Sequence, residues 1–192
     1  MELGKLSATA ELTSPINGSV YATGRLGDRW AVSVVFKANQ TYAQRAVVEA
    51  FLLKLNGGEH KVSLWDFARD APRGTVNTSG VTVSTAAAQF ADTITLAGMG
   101  ATKTLLEGDW FRLVTATGNQ LVMCTADVTS TAGGTATVSF TPRLRGAVAA
   151  ASAVTLFAPT ATFMLEPGQK LMSPRNPQGT CPEWGVNFVE VF

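Results

Sequence analysis

His60 is the only histidine in this chain of 192 residues. One imidazole excludes multi-histidine metal sites and facial triads together. A Ser-His-Asp or Cys-His nucleophile would have to run through His60. It sits in GGEHKVS, directly after a glycine pair, where an exposed turn is expected. No G-x-S-x-G elbow occurs. GMGATKT (98–104) has the glycines and the lysine of a phosphate loop but not the spacing, and LLEGDW after it breaks the helix such a loop needs. A hairpin turn is expected there. Glycoside chemistry needs two carboxylates at a set separation. Glu59, Asp66, Asp70, Asp92, Glu107 and Asp109 are scattered, and Asp109 in EGDW fits a turn before a strand. Cys124 and Cys181 stand far apart and are expected as packed, reduced thiols. The expectation is a protein with no catalytic residue, no metal and no cofactor, and not an enzyme.

Binding chemistry leaves few candidates. PRLRG (142–146) offers Arg143 and Arg145 as a contact with DNA in a channel or with a partner's acids; a solvated loop is the plainer alternative. Trp30, Trp65, Trp110 and Trp184 fit core or domain-junction packing, with sugar stacking open for Trp184. Charged residues make up 15% of the chain and nearly cancel, at net +1, which argues against a basic stripe for nucleic acid. A surface so poor in charge suits burial against partners. MELGKLSATAEL lacks the basic and apolar regions of a signal peptide. No apolar run approaches the roughly 20 residues of a membrane span. Folding in a reducing cytoplasm without membrane insertion is expected, so the sequons at Asn17, Asn39 and Asn77 carry no meaning.

The elements that would position any site are mostly strands. RWAVSVVF (29–36) places Trp30, Val32, Val34 and Phe36 on one face. KANQT then supplies an N-cap in Asn39 or Thr41, and one helix follows over about 41–56, closed by Gly57 and Gly58. Its apolar residues form two stripes. Val47, Val48, Phe51 and Leu55 are expected on the β-core. Ala43, Ala46, Ala50 and Leu53 are expected against a neighbouring element or a neighbouring subunit, leaving Arg45, Glu49 and Asn56 wet. HKVSLWDF returns as a strand. From residue 75 the chain is rich in Thr, Ala, Gly and Val with regular turn signals, as in a small sandwich or barrel. TATVSF points Ala136, Val138 and Phe140 inward, and Gly118-Asn119 is expected as a hairpin turn. VNFVEVF at the end should pair with strands of the first part. The expected plan is a split β-domain (1–72 and 155–192) with the helix, and an inserted β-subdomain (73–154).

Two blocks carry a family resemblance. RWAVSVVFKANQTYAQRAVVEAFLLKLNGGEHKVSLWDF resembles the opening unit of small tail-tip proteins of tailed bacteriophages and prophages, with its Arg-Trp strand, its A-x-x-E-A-F-L-x-x-L-x-G helix and a following strand. LLEGDWFRLVTATGNQLVMCTADVTSTAGGTATVSFTPRLRGAV is similar to their middle segment, with a GD turn, a hairpin, a G-x-A-T-V strand and a P-x-L-R close. The resemblance covers roughly the middle half of the chain. It implies a distal-tail-like structural virion protein: a tail-tube-like β-barrel or sandwich with one flanking helix. Such subunits form a ring, usually sixfold, joining tail tube to tail tip or baseplate around the channel that DNA crosses. It also implies tail-tube and tail-hub partners, no specific nucleic-acid binding, synthesis in the host cytoplasm and residence in the virion. A tail-tube or tail-terminator subunit shares this plan. A host-glycan or receptor-binding module is the other alternative.

Overall fold

The computed structural model describes residues 1–24, 27–169, 171, 174 and 181–192. Its elements follow as β1 (Glu2–Leu6), β2 (Thr9–Thr13), β3 (Val20–Gly24), β4 (Arg29–Phe36), the helix α1 (Tyr42–Lys54), a 3-10 turn (Asn56–Gly58) and β5 (Val62–Leu64). Then come β6 (Thr82–Val83), β7 (Thr93–Ala97), β8 (Thr104–Leu105), β9 (Trp110–Thr115), β10 (Gly118–Cys124) and β11 (Val128–Thr129). The last four strands are β12 (Ala136–Thr141), β13 (Val154–Thr155), β14 (Ala161–Leu165) and β15 (Trp184–Glu190). The protein is mainly β. The chain divides into two units, one of Met1–Leu6, Arg29–Leu64 and Thr162–Val191, the other of Ser7–Asp28, Trp65–Ala161 and Phe192. Residues 7–28, 65–72, 155–161 and 192 thus group with the second unit and not with the first.

The first unit is built on a sheet in the order β1-β4-β15-β14-β5. Alternation decides which residues go inside. Trp30 and Val32 of β4, Phe163 and Leu165 of β14, and Val186 and Phe188 of β15 are buried. Each such side chain contributes about 1.5–3 kcal/mol. Trp184 stacks on Phe36 at 4.7 Å. Glu190 is also buried, and its Oε2 accepts the Trp30 backbone N–H at 3.0 Å. The closing strand lies between β4 and β14, antiparallel to both.

The helix begins at a capping box. Thr41 Oγ1 accepts the Gln44 N–H at 3.3 Å, and Gln44 Oε1 accepts the Thr41 N–H at 3.0 Å. Two orphan donors are thereby satisfied. Thr41→Ala is expected to cost about 1 kcal/mol, read as a lower denaturant midpoint. Gly57, at φ 65°, turns the chain out of the helix.

The second unit holds a six-stranded barrel-like sheet in the order β13-β9-β10-β12-β7-β6. It is nearly closed by a bridge between Thr82 and Ala153, with Val154 N–H donating to Val81 O at 3.0 Å. Inside lie Leu96, Phe111, Leu113, Val122, Val138 and Leu156. Ala136, Val138 and Phe140 of β12 are buried, and Thr137 between them is exposed. The β9–β10 turn differs from the sequence expectation. Thr115 pairs with Gly118, so Ala116 and Thr117 make the turn while Gly118 and Asn119 belong to the strand. The Thr115 hydroxyl donates to Gly118 O at 2.8 Å and sets that register. β2 and β3 form a separate two-stranded hairpin. Its signal in the sequence is the turn-rich SPINGS, with Asn17-Gly18.

Candidate assembly surface

Helix α1 turns inward only half of the first apolar stripe, Val48 and Leu55, and adds Arg45 and Leu52 to it. Arg45, Leu52 and Leu55 are buried, with Val48 and Glu49 half-buried. Val47 is 71% exposed and Phe51 47%, so these two do not cover the core. Arg45 is not wet; its aliphatic stem is covered with its head. The inner side follows Arg45, Val48, Leu52 and Leu55, at the three- and four-residue spacing of one helix face.

The opposite side is apolar and uncovered. Ala43, Val47, Ala50 and Phe51 are exposed along one seam, with Lys54 at its end. Tyr42 and Leu53 are exposed beside it, and Ala46 is half-buried. Thus Ala43, Ala50 and Leu53 of the alanine stripe share this outer surface with Val47 and Phe51.

Arg143 and Arg145 are engaged within the second unit. Arg143 pairs with Asp92 at 3.5 Å, both largely exposed, a contact worth about 0–1 kcal/mol. Arg145 is half-buried; its guanidinium donates to Asp28 O at 2.7 Å and lies 4.1 Å from the Phe192 ring centroid. Their loop is pinned from below by the buried Gln120, whose amide donates to Arg143 O and accepts the Arg145 N–H, both at 2.9 Å.

Of the residues with catalytic potential, Glu107, Asp109 and Cys124 lie near one another in the second unit. His60 is exposed on its turn. Gly98 to Thr104 leads into β8, not a helix, and is held by hydrogen bonds from Met99 N–H to Gly134 O and from Asn77 N–H to Met99 O. Asp109 is buried and accepts the backbone N–H groups of Arg73, Gly74 and Leu106. Cys124 and Cys181 are free and buried. Burial pushes the Cys124 thiol above its ordinary value, and the carboxylates of Asp109, Asp127 and Glu107 push the same way. Among the described residues no group of three or more His, Cys, Asp or Glu could hold a metal ion. Among them, too, no helix is long and apolar enough to cross a membrane.

A groove of about 620 Å³ runs along β1, β4 and β15 in the first unit. Its walls include Leu3, Leu6, Ala31, Phe188, Val189 and Pro167, with Glu2 and Glu166 among its lining residues. No protein-family model matches the sequence, and no curated protein matches it either.

Proposed function

We propose that this chain is a structural subunit that assembles into a ring through the outer face of α1, as a distal-tail or hub protein of a phage tail does. In this reading the ring joins the tail tube to the tail tip or baseplate around the path of DNA, and its partners are further copies and adjoining tail proteins. The subunit resides in the virion, and the first unit is the tail-tube-like domain. The observation that carries the reading is the uncovered seam of Ala43, Val47, Ala50 and Phe51. A helix with one apolar face toward its core ordinarily turns polar residues to water. Here the outer side is apolar too, and a neighbouring copy is the cover that a ring supplies.

Native mass spectrometry with negative-stain imaging of the purified chain tests this. A closed ring, sixfold by the resemblance, is the expected result. The double substitution Ala43→Glu and Ala50→Glu is expected to leave the monomer folded, with an unchanged melting curve, and to abolish the ring. Both positions are exposed, so the charges meet water in the monomer and a partner's apolar surface in the ring. A double variant that still forms rings would remove the helix from the interface.

A second reading draws on the second unit. Phe67 and Phe157 are both exposed there, near the hydrogen bond from Ala158 N–H to Asp70 O. Exposed rings of this kind suit stacking on a host glycan. A parent protein that stays monomeric and binds on a glycan array would favour it.

A further inference from the structure

Two Asn-Gly pairs occur in the sequence, Asn17-Gly18 and Asn56-Gly57. Glycine puts no bulk beside its own nitrogen and turns freely enough to bring that nitrogen onto the preceding carboxamide. Attack there closes a succinimide. The fold treats the two pairs differently.

Asn17 and Gly18 lie in the turn between β2 and β3, and both are exposed. A side chain added at Gly18 would meet nothing within 4 Å, so no neighbour shields the pair. Asn17 Oδ1 accepts two hydrogen bonds from Ser19, from its backbone N–H at 3.1 Å and its hydroxyl at 2.8 Å. The first is an Asx-turn, which folds the carboxamide back over its own main chain. Both donors sit on the oxygen that becomes anionic when the carboxamide is attacked, and donors placed there lower the barrier. One bond opposes the attack, because Gly18 N–H donates to Ser14 O at 3.0 Å. It must open first, and the turn of a two-stranded ribbon in water is where opening costs least.

Asn56-Gly57 is exposed as well, but it belongs to the 3-10 turn that ends α1. Asn56 Nδ2 is tied to Glu59 Oε2, and among the described residues no donor reaches Asn56 Oδ1. Its backbone stands at φ 46°, and its carbonyl accepts the Glu59 N–H at 3.3 Å. Gly58 N–H and His60 N–H both donate to the carbonyl of the buried Leu55, at 3.0 and 3.2 Å.

We infer that Asn17 is a self-modification site, deamidated by attack of the Gly18 nitrogen, with Ser19 as donor to the oxyanion. Hydroxide takes the Gly18 N–H proton, and the nitrogen forms a bond to Asn17 Cγ. The Cγ–Nδ2 bond breaks, and Nδ2 takes a proton from water and leaves as ammonia. Water then opens the succinimide. Attack at Cγ gives aspartate. Attack at the Asn17 carbonyl carbon gives isoaspartate, with the main chain rerouted through Cβ and Cγ. One water enters and one ammonia leaves, with no oxidant or reductant. Either product puts a carboxylate beside Ile16, which is 94% exposed, and takes the formal net charge from +1 to zero. The site is not on α1 and does not rest on the ring reading.

The test incubates the full-length chain at mildly alkaline pH in water enriched in heavy oxygen, with and without denaturing urea. Peptide mass spectrometry follows both pairs. In the native chain Asn17 is expected to convert about tenfold faster than Asn56, and in urea the two rates should fall within about twofold. Ser19→Ala keeps the backbone donor and removes the hydroxyl at an exposed position. It is expected to slow native conversion at Asn17 about fivefold, the worth of one hydrogen bond, and to leave Asn56 unchanged. Equal native rates, a faster Asn56, the same ratio in urea as in the native chain, or a Ser19→Ala chain that converts as fast as the parent would each overturn the inference.

Discussion

Asp109→Ala is expected to destabilise the second unit by about 3 kcal/mol or more, read as a lower urea midpoint of the full chain. The carboxylate is almost entirely buried and acts as a junction for three backbone donors. Arg73 N–H donates to Oδ1 at 2.8 Å; Gly74 N–H at 3.2 Å and Leu106 N–H at 2.9 Å donate to Oδ2. Alanine leaves these part-buried donors without their acceptor, and each costs up to about 1–3 kcal/mol where water does not replace it. The Arg73 side chain matters less. Its Nε is 3.7 Å from Oδ1 and the side chain is largely exposed, so Arg73→Ala is expected to cost under about 1 kcal/mol. Asp109→Asn should fall between the two. Its one oxygen can serve the Gly74 and Leu106 donors, but its amide nitrogen then faces the Arg73 N–H. An order of Ala, then Asn, then the Arg73 variant identifies a backbone junction. A large Arg73 effect with a small Asp109→Ala effect would show that the ion pair matters and the backbone donors do not.

The role of Asp109 was legible in part. EGDW reads as a turn before a strand, and the structure has Asp109 directly before β9. That its carboxylate would collect donors from residues more than thirty positions back was not legible, because no local spacing encodes a contact of that range. Helix α1 shows the same limit. Its start could be narrowed to Asn39 or Thr41 from local residue types, and the Thr41–Gln44 capping box decides for Thr41. Its inward face could not. The helix is apolar on two sides, so a wheel offers two answers and the tertiary contacts choose. They chose Leu52 and Leu55, and with them Arg45, which a wheel alone assigns to water. Strand faces such as Ala136, Val138 and Phe140 were clear, since a period of two leaves one choice of side. The β9–β10 turn was missed because Gly-Asn is a strong local signal, while the Thr115 hydroxyl and the pairing of Thr115 with Gly118 set the actual register. The first hairpin went unread although SPINGS marks its turn. That it pairs with no third strand among the described residues is a tertiary fact, which a sequence does not display.

Two phenylalanines separate stability from assembly in one experiment. Phe111 has no exposed surface and meets Phe140 edge-on at 5.9 Å inside the barrel. Phe111→Ala is expected to cost about 3–5 kcal/mol, since the transfer energy of the ring and the cavity left behind add. Leu96, Leu113 and Val138 are buried in the same cluster and belong to paired strands, so the site has little freedom to collapse. Phe51 on α1 is of the same residue type but 47% exposed. Phe51→Ala removes partial burial and replaces the ring with a better helix former, so a monomer change within about 1 kcal/mol is expected. In an assembled ring the same ring system would be covered, and its loss should raise the concentration needed for assembly by about tenfold, the effect of roughly 1.4 kcal/mol per interface. Denaturation measures the first quantity, and mass distribution against concentration measures the second. A folded-state loss at Phe51 as large as at Phe111 would make the outer face of α1 part of the chain's own core. A shift in assembly at Phe51 with intact folding is the result that only an interface produces.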